Sequence, residues 1–338
     1  MTSGCPAWRG PAPIAHAVLL VLLLGGLMPA RAQRAATPTR PSPAERGADT
    51  IGTRMLATVR ALTAPGMDGR AVGTPGNAKA RAWIAERFDA IGVAPLPVMP
   101  VAAGPDGLRR FEQPFSFTSR TGGPMPGVNV VAMCEGRRPD LPAIVVSAHY
   151  DHLGVRDGRT YHGADDNASG VAMLLAVAER CVTTPFAHPL VLVAFDAEEQ
   201  GLQGAKAFLA NPPLPAERIA LSMNFDMVGR SDRREIFVAG PGRWPMLLPV
   251  LTAAVRGAPI TVLFGHDTGG GHDDWTQQSD HGVFHGAGIP FVYFGVEDHA
   301  DYHQPTDTPD KITADFLDGV ATVVLSSLTA LDRAPAYK

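Results

Sequence analysis

The sequence predicts an α/β fold, a mostly parallel mixed central sheet flanked by helices on both faces. Short, continuously apolar and often β-branched runs recur at 128–132, 143–148, 190–195, 219–224, 236–239, 260–264 and 290–294. Helical stretches lie between several of them, at 170–181, 201–209 and 244–255, with a last one at 315–331. Strands apolar on both faces need cover on both sides, and their alternation with helices favours parallel pairing. Ahead of the first strand, Ile51, Met55, Leu56, Val59 and Leu62 repeat at helical spacing, as do Ala80, Trp83, Ile84, Phe88 and Ile91. The turn-rich segment 65–76 separates these two helices. No internal repeat is visible, and residues 50–334 read as a single catalytic domain.

The chain has 338 residues, of which 45% are hydrophobic and 18% charged. That composition supplies a sizeable core and excludes disorder for the bulk of the chain. The beginning is different. Arg9 precedes an apolar run, 17–30, that is shorter than the ~20 residues a membrane-spanning helix needs and ends at Ala30-Arg31-Ala32. This is the pattern of a cleaved signal peptide over 1–32, with the mature chain starting at Gln33, exported to the periplasm or beyond, and with no membrane span after cleavage. An uncleaved anchor is the alternative. Residues 33–49, rich in Ala, Pro, Arg and Thr, read as a disordered linker.

The chain's 29 basic residues fall to 27 once Arg9 and Arg31 leave with the signal, against 33 acidic ones. With no basic run, there is no electrostatic case for nucleic acid or an anionic membrane as partner. Cys134 and Cys181 stay in the mature chain. An oxidising compartment allows them to pair, but two isolated cysteines are also compatible with simple burial.

Acidic and histidine-rich motifs follow directly after the apolar runs, where open α/β sheets build their sites. The run 143–148 ends in His149-Tyr150-Asp151-His152, and within a strand His149 and Asp151 would share a face. An imidazole that binds metal through one nitrogen is commonly oriented by a carboxylate at the other. His162-Gly163-Ala164-Asp165-Asp166-Asn167-Ala168-Ser169-Gly170 precedes a helix. Its aspartates suit metal binding or ordinary helix capping, and Asn167-Ala168-Ser169 also fits a glycosylation acceptor. Asp196-Ala197-Glu198-Glu199 leaves a buried strand, and adjacent glutamates there are costly to bury without a partner. Favouring a following helix N-terminus is their plainer role. Asp226 leaves the run 219–224, and Glu297-Asp298-His299-Ala300-Asp301-Tyr302-His303 follows the last one. Taken together, two histidines and three carboxylates at separate strand exits form the mixed nitrogen and oxygen donor set that suits zinc.

The series HYDH, GADDNASG, FDAEEQGLQGA, NFDMVG and DYHQPTDT, in this order, resembles the bacterial double-zinc aminopeptidases, with an early DGRAVGTPGN segment extending the likeness. That family belongs to the zinc exopeptidases, whose fold is a three-layer sandwich shared with glutamate carboxypeptidases. The resemblance implies two Zn2+ ions, with His149 and Asp226 on one, Glu199 and His303 on the other, and Asp166 bridging them. It further implies that Glu198 is the general base, that Asp151 orients His149, that Tyr302 helps polarise the scissile carbonyl, and that Ser279-Asp280-His281 supports the site without binding metal. The implied partners are peptides with a free N-terminus. A protease-associated domain, frequent in the family before the metal motifs, has only a short segment, 103–127, in its place. His152, His162 and His299 stay outside the ligand set as possible cleft-lining residues. His266 and His272 flank the glycines of a flexible loop that lacks the Lys-Ser/Thr of a phosphate cradle.

Other activities on this scaffold are a carboxypeptidase, a dipeptidase or a glutaminyl cyclase. The cyclase branch uses a single zinc, and the retained His149-x-Asp151 pair argues against it. A non-catalytic binding module would have lost ligands or the base, and here every position is filled.

Overall fold

The computed structural model describes residues 49–96, 107–119, 122–269 and 273–334. The expected signal peptide with its cleavage point, nearly all of the expected linker, and His272 lie outside them. In chain order the described residues form helices α1 (Ile51–Leu62) and α2 (Pro75–Ile91), then strands β1 (Ala94–Pro95), β2 (Glu112–Thr118), β3 (Pro124–Cys134), β4 (Ala143–His149), β5 (Gly154–Arg156) and β6 (Arg159–Tyr161). There follow α3 (Gly170–Thr183), β7 (Leu190–Phe195), α4 (Gln203–Ala210), β8 (Ile219–Phe225), β9 (Glu235–Ala239) and α5 (Leu247–Ala254). The chain closes with β10 (Thr261–Phe264), α6 (His281–Gly286), β11 (Phe291–Gly295) and α7 (Ala314–Leu331).

Nine strands make one sheet in the order β1-β3-β7-β4-β8-β11-β9-β10, with β2 pairing outside this path to β3. The centre, β7-β4-β8-β11, is parallel. Antiparallel pairs flank it: β3 against β7 on one side, β9 against β11 on the other. Every residue of those four central strands is buried, which is why their sequences are apolar without alternation. The period of two survives in direction. Ile144, Val146 and Ala148 face the layer of α1, α2, α3 and α7. Ala143 and Val145 face the opposite layer, with Phe208 of α4 and Phe284 of α6. The sheet is therefore covered on both faces, as the sequence predicts.

Local signals mark the helix ends. Thr50, Thr74 and Thr313 cap α1, α2 and α7 by accepting hydrogen bonds from Thr53, Asn77 and Phe316 N–H groups. Pro75 opens α2, and Gly92, at φ 89°, closes it in the left-handed conformation. The apolar helix α7 is a core helix, with Phe316, Leu317, Val320, Val324 and Leu328 buried.

Some elements differ from expectation. The segment before β3 carries strand β2, paired along its length with β3, and β5 and β6 form a small separate hairpin. These strands mix polar and apolar residues at the sheet margin, so they lack the apolar run that betrays a central strand. Helix α5 starts at Leu247 because residues 241–246 turn before it. Asn167 is fully buried, which removes it as a glycosylation acceptor in the folded chain.

Cys134, at the end of β3, is bonded to Cys181 in α3, with Cα atoms 6.4 Å apart and a sequence separation of 47. A crosslink closing a loop of that length stabilises by about 4 kcal/mol on the chain-entropy account. The double variant Cys134→Ser/Cys181→Ser is expected to lose up to that amount in urea unfolding. A peptide map of the unreduced protein should show the two cysteine peptides joined.

Candidate active site

The strands of the parallel centre all point their carboxyl ends at one edge, and their exit loops meet there. His149 is the last residue of β4, Asp196 to Glu199 leave β7, Asp226 leaves β8, and the loop after β11 brings Tyr302 and His303. Asp166 arrives on the turn before α3. Ala197, Met227 and His303 sit at φ 58°, 55° and 53°, a left-handed conformation costly for residues with a Cβ and typical of functional sites.

The expected site residues come together. His149 Nε2 lies 3.3 Å from Asp166 Oδ1 and 3.2 Å from Asp226 Oδ1. His303 Nε2 lies 3.1 Å from Asp166 Oδ2 and 3.4 Å from Glu199 Oε2. Atoms about 2.0–2.1 Å from a shared ion are separated by roughly 2.9 Å at right angles and 3.3 Å at the tetrahedral angle. The observed separations fall in this range, with Asp166 presenting one oxygen to each side. The donor set fits divalent zinc in type and in spacing.

Electrostatics point the same way. Burial, and then the neighbouring charges of Asp226, Asp280 and Glu199, hold the Glu198 carboxyl well above its usual range, although His149 opposes them. Burial would lower His303, yet the hydrogen-bonding carboxylates of Asp166 and Glu199 lift its imidazole to about 10. Burial, assisted by Asp151 and Asp226 against His149, pushes Asp280 up to about 8. Acids that resist ionisation beside imidazoles that hold protons mark a cluster with surplus negative charge, which cations relieve.

Supporting residues hold this arrangement. His149 Nδ1 stands 3.1 Å from the Asp151 backbone carbonyl, a contact that places the proton on Nδ1 and turns Nε2 toward the site. The Asp151 carboxylate is 3.7 Å from Nδ1 and instead accepts the backbone N–H groups of Glu198 and Glu199 at 3.0 and 3.3 Å. Because β4 ends at His149, Asp151 has already left the strand, and the shared face expected for the pair does not persist. The residue thus orients His149 through its backbone and the two glutamates through its side chain. Asp165, beside the central aspartate, accepts from the Gly229 N–H at 2.6 Å and pairs with His299 at 3.0 Å, so His299 acts as scaffold.

Several contributors escape sequence reasoning because their roles depend on distant segments. Asp307 accepts the N–H groups of Asp165 and Asp166 at 3.0 and 3.1 Å. Arg70, fully buried, donates to the carbonyls of Tyr150, Leu62, His162 and Gly163 at 2.8–2.9 Å, tying the β4 exit to the turn that carries Asp166. Burial lowers its guanidinium only to about 10, because Asp166, Asp307 and Asp151 oppose the shift, so it remains a cation beneath the acids. The early DGRAVGTPGN segment is the only trace of this in the sequence. Asp301 receives Arg230 and Lys311, each at 2.5 Å, and so anchors the loop that presents Tyr302 and His303. His152, outside the expected ligand set, lies within the cluster.

The cluster opens into a cleft of about 680 Å3 whose lining includes Glu198, Tyr302, Trp275, Met227, Arg156 and Lys206. Tyr302 stacks on His303 with ring centroids 4.0 Å apart. Tyr293, also on the cleft wall, donates its hydroxyl to the Asp226 carbonyl at 3.1 Å. His266 stacks on Trp275 at 3.8 Å. Asp280 and His281 are fully buried behind the site.

A mostly parallel α/β sheet with zinc-type donors gathered at its strand exits defines the class: an α/β protein with a candidate metal centre. The model of Peptidase family M28 matches residues 129–328, and the chain belongs to that family. It is 27% identical over 226 residues to aminopeptidase YwaD of Bacillus subtilis, covering 63% of this chain and 45% of that one. The chain spans under half the length of the curated relatives it matches. Among solved structures it resembles a Zn-dependent exopeptidase from Parabacteroides distasonis (TM-score 0.63, 18% identity, 81% of this chain and 96% of that one). It is also similar to the glutaminyl cyclase of Porphyromonas gingivalis (TM-score 0.63, 19% identity, 82% and 97%). At these identities the two structures share the fold with this chain, without distinguishing between their activities.

His281 provides a pH test of the packing behind the site. Burial lowers its imidazole from its usual value near 6.5 to about 3, and Nε2 donates to the Trp275 carbonyl at 2.8 Å. The unfolded chain takes up this proton below pH ~6.5 while the folded chain does not. Its contribution to stability is therefore intact above that pH and falls by about 1.4 kcal/mol per pH unit below it, down to pH ~3. Raised acids nearby, Asp280 among them, titrate with the opposite sign, so the readout is the difference: in urea unfolding the wild type should lose stability relative to His281→Gln, which keeps a donor at the position, as pH falls from 7 to 4.5.

Proposed function

We propose that the protein is an exported aminopeptidase that removes N-terminal residues from peptides at a pair of zinc ions. One observation carries the reading: His149 and His303, from separate segments, each place Nε2 3.1–3.4 Å from two carboxylates, Asp166 and Asp226 for His149 and Asp166 and Glu199 for His303, so that the two groups share Asp166. On this reading His149 and Asp226 hold one ion, Glu199 and His303 hold the other, and Asp166 bridges. Paired divalent ions supply a water acidified toward neutrality and Lewis-acid polarisation of the scissile carbonyl.

The chain's own groups do the rest. Glu198 takes the proton from the water as its oxygen bonds to the carbonyl carbon, then delivers that proton to the amine nitrogen as the C–N bond breaks and the carbonyl re-forms. Its environment suits a proton carrier, since the same negative neighbours that raise it are offset once cations are present. The Tyr302 hydroxyl, on the cleft wall, donates to the carbonyl oxygen as negative charge develops there. The surplus of carboxylates favours the free ammonium of a substrate's N-terminus, and the cleft volume is that of a small-ligand site. Export rests on the apolar N-terminal run with its Ala-x-Ala end, and the Cys134–Cys181 bond suits an oxidising compartment.

Glutaminyl cyclisation is the second reading, favoured by the fold shared with the Porphyromonas enzyme. Assays on Leu-, Glu- and Gln-initiated peptides, beside peptides blocked at the N-terminus, separate the two. Release of free N-terminal amino acids supports the aminopeptidase, whereas pyroglutamate formation without hydrolysis contradicts it. Glu198→Gln should retain its zinc and lose roughly 10²–10⁴-fold in kcat. A near-normal rate in that variant would show that the proton carrier lies elsewhere.

A further inference from the structure

His152 lies three residues beyond His149 and outside the ligand set of the proposed site. Its side chain is fully buried, and Nδ1 lies 2.9 Å from Glu199 Oε1 and 3.6 Å from Asp166 Oδ2. The approach to Glu199 lacks hydrogen-bond alignment, and among the described residues neither ring nitrogen of His152, nor Glu199 Oε1, has a hydrogen-bond partner. A buried imidazole with both nitrogens unmatched is costly, and so is a buried carboxylate oxygen. The fold nevertheless makes room for the ring. Gly163, at φ 58°, passes so close that a Cβ there would come within 2.6 Å of two His152 ring carbons. The His303 ring is 5.9 Å away on the other side.

We infer that His152 Nδ1 is a further ligand of the ion held by Glu199 and His303. A cation at that point gives partners to His152 Nδ1 and Glu199 Oε1 together, because the two atoms are separated as two ligands at right angles on a zinc ion are. His152, Asp166 and Glu199 have donor atoms within 4.8 Å of one another, as do His149, Asp166 and Asp226. The two positions then differ in chemistry. The Glu199 side carries two imidazoles and the Asp226 side one, so the Glu199 side binds zinc more tightly and releases it last to a chelator.

This inference rests on the paired-zinc reading, and the experiment separates the two. Zinc K-edge absorption of the fully loaded wild-type protein counts imidazoles per ion: three shared by two ions are expected, against two if His152 is not a ligand. In parallel, zinc content and chelator competition are measured on His152→Phe, which keeps a ring without a donor, and on His152→Asn, which restores a weak oxygen donor. Loss of His152 should weaken one of the two zinc ions by 100-fold or more, with partial recovery in the Asn variant and an unchanged far-ultraviolet dichroism spectrum. Two zinc ions in the wild type with only two imidazoles between them, or a folded His152→Phe protein with wild-type zinc affinity, overturns the assignment and leaves the paired site standing. A wild-type protein that holds fewer than two zinc ions overturns both.

Discussion

The structure depends on the cost of assembling like charges in a confined place. Asp166, Glu199 and Asp226 are drawn from three segments and brought, with Glu198, to one edge of the sheet. Carboxylates so arranged repel one another and lose hydration, and neither penalty is met by hydrophobic packing nearby. The protein answers with geometry. A rigid parallel centre fixes the exits, the buried guanidinium of Arg70 ties two of them together through backbone carbonyls, and Asp307 and Asp151 grip the amides next to the ligands. What this framework leaves unbalanced is negative charge aimed at a single region, which a bound divalent cation would balance.

The same framework accounts for the division of labour between neighbouring acids. Asp165 and Asp166 are adjacent in sequence, yet one binds the Gly229 amide and His299 while the other faces His149 and His303. Glu198 and Glu199 both line the cleft, and Glu199 lies beside His303 and His152. In both pairs the backbone anchor, Asp307 in one case and Asp151 in the other, sets which side chain points where. Proximity in sequence does not make their roles interchangeable.

Much of this is legible from the residues alone, and the parts that are not have physical reasons. The central strands announce themselves because burial on both faces requires continuous apolar runs. The candidate ligands do so because acids and histidines directly after such runs are costly to bury unless something binds them. The marginal strands β2, β5 and β6 carry no such signal, since a half-exposed strand tolerates mixed residues. Arg70, Asp307 and Tyr293 act by hydrogen-bonding backbone groups far away in sequence, and no local pattern encodes a partner's position. His152 hides for a subtler reason: next to a stronger candidate three residues away, it reads as a neighbour of the site, and the proposal of a larger role rests on ring nitrogens left unmatched among the described residues.

Anomalous diffraction at the zinc edge from crystals of the metal-loaded protein tests the central claim most directly. Two peaks roughly 3.5–4 Å apart are expected, both within bonding reach of Asp166, one also touching His149 and Asp226 and the other Glu199 and His303. A single peak, or metal bound away from these side chains, would contradict it.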